Sequence, residues 1–141
     1  MFGRAKSFED PQLGAFAFTR RAWRGRLRLE PHGSISLTVP GSRSGPDEVA
    51  LALARTIPVE YERCRAAITT ALDEHRVAAL QDHDSAGHDA ELGPASAAVI
   101  ELGRLLTIQL VCRVGWDDDH SLGACLRDGA LVELNGSILE P

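Results

Sequence analysis

The plainest pattern in the chain is Trp23-Arg24-Gly25-Arg26-Leu27-Arg28-Leu29, which alternates with period two. A strand sends such residues to opposite faces, with Trp23, Leu27 and Leu29 on one and Arg24, Arg26 and Arg28 on the other. Leu13–Thr19 alternates more loosely, and Ser34–Val39 alternates again with Ile35, Leu37 and Val39 inward. Pro31-His32-Gly33 marks a turn, with His32 exposed in it, and Pro40–Gly45 breaks the pattern. Residues 13–40 therefore predict a three-stranded meander. The period then changes to three and four. Val49, Leu51, Leu53, Ala54 and Ile57 form one stripe, and Tyr61, Cys64, Ile68, Ala71, Leu72, His75 and Ala79 form another. Pro46 followed by Asp47 and Glu48 suits a helix start, and Pro58 should divide or kink the helix. The expectation is helices over 46–56 and 58–80.

Residues 81–93 read as a polar loop, and Pro94 as the start of a short helix ending near Gly103. Leu105–Val114 has the β-branched and leucine content of a strand buried on both faces or nearly so. Gly115–Asp119 turns the chain. Ser121–Leu126 and Ala130–Leu134 flank Arg127-Asp128-Gly129, and Asp-Gly is a strong hairpin signal. Strands and helices are segregated, which predicts an α+β class. The expected architecture is an antiparallel sheet from the N-terminal meander and the C-terminal hairpin strands, packed against two to three helices. At 141 residues the chain is one domain, 1–141.

Charge is unevenly placed. Residues 1–45 hold eight of fifteen basic groups and three of twenty acids, so the remainder is strongly acidic. Cys64, Cys112 and Cys125 are widely spaced and form no C-x-x-C pair, which argues for buried free thiols. No apolar core of signal-peptide length follows Met1–Lys6. The most apolar stretch, Ala97–Val114, carries Glu101, Arg104, Gln109 and Arg113, which excludes a membrane span. These points give the expectation of a cytoplasmic protein that meets no membrane. No phosphate-binding glycine motif occurs, so no cofactor is expected.

Three constellations could carry chemistry. Arg20 and Arg21 precede the outward row of Arg24, Arg26 and Arg28, whose guanidinium forks suit carboxylates or phosphates. That row reads as a solvated sheet face or a partner-binding surface. Nucleic acid is disfavoured, because Trp23 points the other way and the chain is acidic. His75, His83 and His88 stand among Asp73, Glu74, Asp82, Asp84 and Asp89, a composition that can bind divalent metal. No ligand spacing matches a metal motif, so no metal site is expected. Trp116-Asp117-Asp118-Asp119-His120 offers a partner-binding loop, with Asp119 and His120 as the candidate acid–base pair.

Phe8-x-Asp10-x-x-Leu13-Gly14, Trp23-x-Gly25, Trp116-Asp117-x-Asp119-His120-x-Leu122-Gly123 and Asp128-Gly129 together resemble small bacterial domains of unknown function. In those, a W-x-G strand pair opens the domain and a W-D-x-(E/D)-H-x-L strand pair closes it. The chain departs in having Asp119 where Glu is commoner, and in its His-rich middle loop. The resemblance implies a bacterial α+β domain and supplies no catalytic residues. Some such acidic domains look like immunity proteins. The expected function is accordingly a non-enzymatic protein that binds another protein, of immunity type. An acidic face of the helices and of Asp117–Asp119 would neutralise a basic partner. The alternatives are a hydrolytic or metal-assisted enzyme using Asp119 and His120, and a structural homodimer joined at a sheet edge.

Overall fold

A computed structural model describes residues 6–80, 93–113 and 121–135. Twelve elements follow one another: β1 (Ser7–Asp10), β2 (Gly14–Thr19), β3 (Ala22–Leu29), β4 (Gly33–Val39), β5 (Gly41–Ser42), β6 (Gly45–Pro46), α1 (Glu48–Arg55), α2 (Ile57–Leu80), β7 (Gly93–Leu102), β8 (Leu105–Arg113), β9 (Ser121–Arg127) and β10 (Ala130–Asn135). Eight strands make one sheet in the order β1-β2-β3-β4-β7-β8-β9-β10, with β5 and β6 as a separate small hairpin. Every pair in the large sheet is antiparallel except β4 with β7. The sheet dominates, and two helices complete the α+β fold among the described residues.

Both helices cover the same face. α1 packs on β4, β7 and β8, and α2 packs on β9 and β10. Trp23, Leu27, Leu29, Ile35, Leu37 and Val39 lie inward, as the alternation predicted. Asp47 caps α1, its side chain accepting from the Ala50 amide at 2.8 Å, so the helix begins two residues later than expected. Thr56 ends α1, and Pro58 sits in the first turn of α2, where a missing N–H does no harm. The helical stripes need small corrections. Ala50 is buried while Val49 is 67% exposed, and the α2 stripe is interrupted after Leu72, where His75 is exposed.

The expected helix from Pro94 is instead β7. Ala97 and Val99 face the main core, while Ala98 and Ile100 face a second, smaller cluster with Cys125 on the far side of the sheet. A strand buried on both faces loses its alternation and resembles a helix in sequence. β8 is buried on both faces from Thr107 to Leu110, a shorter span than expected, since Leu105 at its start is 53% exposed. Its Thr107 hydroxyl accepts from Arg127 Nη2 at 2.7 Å, which closes that end of the far face.

Three two-residue turns join strands with both central residues at positive φ. They are Arg20–Arg21 (51° and 65°), Arg104 with Gly103 (68° and 58°), and Asp128 with Gly129 (52° and 75°). The left-handed conformation costs a non-glycine residue about 1 kcal/mol, and only the first turn lacks glycine.

Asp10 ties the first hairpin to α1. Its carboxylate is fully buried. Oδ2 accepts from the Gln12 and Leu13 amides at 3.0 and 2.9 Å, and Oδ1 pairs with Arg55 Nε (3.0 Å) and Nη2. The Arg55 guanidinium, with the two amides, holds the Asp10 carboxyl below its ordinary range against the opposing effect of burial. Gly25 is needed for a different reason. A Cβ there would meet Ala15 O at 2.8 Å and the Phe16 ring at 2.9 Å.

Asp10→Ala should cost about 2–4 kcal/mol in urea denaturation, because it strands a charge and two amides. Stability from Asp10 is fully present above its unfolded value, about 3.9, and is lost as pH falls through its lower folded value. Wild type should therefore lose stability more steeply below pH ~4 than Asp10→Asn; parallel curves would remove the clamp. Gly25→Ala should cost about 1–3 kcal/mol by overpacking, measured the same way.

Candidate functional site

The polar face of β3 and β4 is built by strand register. Arg24 stands opposite Thr38, Arg26 opposite Ser36, and Arg28 opposite Ser34. Ser36 is in turn level with Ser96 of β7. A row of guanidiniums thus runs beside a row of hydroxyls, with about 6.8 Å between successive arginine positions.

The hydroxyl row holds the arginines down. Arg26 donates from Nε to Ser34 Oγ (3.1 Å), from Nη1 to Ser36 Oγ (3.2 Å) and from Nη2 to Ser34 O (2.9 Å). Arg24 donates from Nε to Thr19 O (3.2 Å) and from Nη1 to Thr38 Oγ1 (3.4 Å). These partners are neutral, so they fix geometry and leave the charge uncompensated. Among the described residues, Arg28 alone in the row meets a carboxylate, Glu30 Oε1 at 2.6 Å, in a pair 77% and 67% exposed. Such an exposed pair contributes little stability and exchanges readily. A hollow of about 220 Å³ is lined by Arg26 and Arg28 together with Gln12, Leu13, Leu27 and Pro58.

A larger groove of about 680 Å³ lies between the β5–β6 hairpin and α1. Phe8, Pro46 and Leu51 give its apolar wall, and Ser42, Glu48 and Arg55 its polar rim. Trp23 Nε1 donates to Ser42 O at 2.9 Å and holds the hairpin in place. Arg55 is already committed to Asp10, so the groove's cation is neutralised by its own support.

The exposed surface of α2 is paired within itself. Glu60 with Arg63, Glu62 with Arg65 and Asp73 with Arg76 are all three residues apart. His75 lies on that exposed surface, and no cluster of three or more metal-ligating side chains forms among the described residues. His83, His88, Trp116, Asp117, Asp118, Asp119 and His120 lie outside the described residues. His32, expected exposed in its turn, is half-buried. Its Nε2 is 2.7 Å from Tyr61 Oη, fastening the β3–β4 turn to α2. Cys64, Cys112 and Cys125 are buried free thiols, and burial pushes the Cys112 thiol up to about 12.

Of the expected partner-binding residues, Arg24, Arg26 and Arg28 are therefore brought together on one face. The hydroxyls of Ser34, Ser36 and Thr38 were missed, although the same alternation that turns Ile35, Leu37 and Val39 inward turns these outward. No family model, curated protein or solved structure matches the chain. No helix among the described residues is long and apolar enough to cross a membrane.

Replacing Arg24, Arg26 and Arg28 together by Gln should keep stability within about 1 kcal/mol of wild type, since surface changes are individually small. Urea denaturation checks this, and a larger loss would make the row a structural element.

Proposed function

We propose that the protein is a non-catalytic binding protein whose arginine face, on β3 and β4, docks an acidic surface of a partner protein. The observation that carries this reading is the pair Arg24 and Arg26, fixed by neutral oxygens beside Arg28, whose own partner Glu30 is an exposed carboxylate. Positioned side chains lose less conformational freedom when a ligand arrives. Their uncompensated charge attracts carboxylates and accelerates encounter at low salt. Pairing at a sheet edge has less support. β1 has four residues and carries the exposed Glu9, and the register of β10 shifts between Leu131 and Glu133, where Val132 is the extra residue. Short, charged or bulged edges oppose strand addition.

A second reading keeps the acidic side as the docking surface, against a basic partner in an immunity-type role. Charge favours it. Eight of the twenty acids, including Asp117, Asp118 and Asp119, fall outside the described residues, against Arg4 as the one basic group there.

Three immobilised proteins separate these readings in extract of the native host: wild type, the Arg24/Arg26/Arg28→Gln variant and the Asp117/Asp118/Asp119→Asn variant. The arginine reading expects a stoichiometric acidic protein on wild type and on the Asn variant, released by high salt and absent from the Gln variant. A basic protein lost only from the Asn variant would move the docking surface to 117–119.

A further inference from the structure

Resting on the docking face above, we propose that the arginine strip continues through the β2–β3 turn. Its ligand is an extended acidic polypeptide segment with a carboxylate at every second residue. The turn supplies the first observation. Arg20 and Arg21 are exposed and both left-handed, whereas the equivalent turns at Gly103–Arg104 and Asp128–Gly129 each place a glycine at one such position. Asn-Gly would relax this turn without changing its path. The chain instead keeps two cations there, immediately before the row, and Arg24 Nε reaches the Thr19 carbonyl at the root of the same turn. Strain retained where a relaxed sequence exists points to a role for the side chains.

The second observation is the period. Arg24, Arg26 and Arg28 share one face of a strand and repeat every two residues. An extended polypeptide laid along them repeats its own alternate side chains at the same distance. The carboxylate of Glu30 on Arg28 shows the kind of group the row accepts. The surroundings favour polypeptide over single-stranded nucleic acid. The row is flanked by Ala17 and by the hydroxyls of Ser34, Ser36 and Thr38. The neighbouring rings of Phe18 and Trp23 belong to the aromatic cluster of the core side, so among the described residues neither is offered for base stacking.

Fluorescence anisotropy with three labelled probes tests this: an alternating Glu-Ser peptide, a block peptide of the same composition, and oligouridylate. Wild type should bind the alternating peptide about tenfold more tightly than the block peptide, the sum of a few exposed pairs. The R20N/R21G variant should melt several degrees higher than wild type and bind the alternating peptide several-fold more weakly. Equal binding of the two peptides, or unchanged affinity in R20N/R21G, would overturn the inference. The docking face would then survive if Arg24/Arg26/Arg28→Gln still abolished binding. Tighter binding of oligouridylate would overturn the polypeptide class. Failure of every probe on wild type would overturn the extended-segment inference, and the docking face would then stand or fall by the immobilised-protein experiment in host extract.

Discussion

Parallel neighbours in a sheet cannot be joined by a tight turn, and β4 lies parallel to β7 with Leu37 level with Ala97. The chain between them must leave the sheet and return. It spends that excursion on the β5–β6 hairpin and on both helices, and the helices lie on a single face of the strands they cross. Ala50 and Ala54 of α1 are fully buried there, and Ala97 of β7 is nearly so, which lets a helix approach closely. The same excursion decides what stays uncovered. With both helices on the other side, Arg24, Arg26 and Arg28 keep the open half of the sheet.

Two kinds of polar contact then divide the work. Around Asp10 a buried carboxylate meets a half-exposed guanidinium and two backbone amides, and the ion pair connects elements far apart in sequence, with Gln12 Nε2 also donating to Arg55 O at 2.9 Å. Around Arg26 the partners are neutral and exposed, and they connect adjacent strands. The first arrangement satisfies its charges internally and fastens the first hairpin to α1. The second holds cations in place without neutralising them. A single chain thus separates the ion pair that organises its fold from the charges it presents outward.

Much of this was legible in sequence wherever one face of an element is wet. β3, β4 and the Asp128–Gly129 hairpin alternate or turn as their residues demand, and Pro58 divides the helices where expected. β7 was misread because Ala-Ala-Val-Ile is apolar on both sides, so its period vanishes. β1 was too short to register, and β5 and β6 looked like a bare break. Contacts across long separations left no local trace. Nothing near His32 announces Tyr61, and nothing near Asp10 announces Arg55. The arginine row was readable as a row, but the hydroxyls that fix it become visible only once the register of β4 is known.

The three thiols have a practical meaning. Cys64, Cys112 and Cys125 lie on different elements, and each is almost wholly enclosed. Alkylating reagents act on exposed thiolate, so the native protein should be chemically silent to them. A chain that opens around α2, β8 or β9 uncovers a distinct cysteine in each case. The molecule therefore carries an internal record of which part of it has come apart, read by mass from the cysteine that takes up the alkyl adduct.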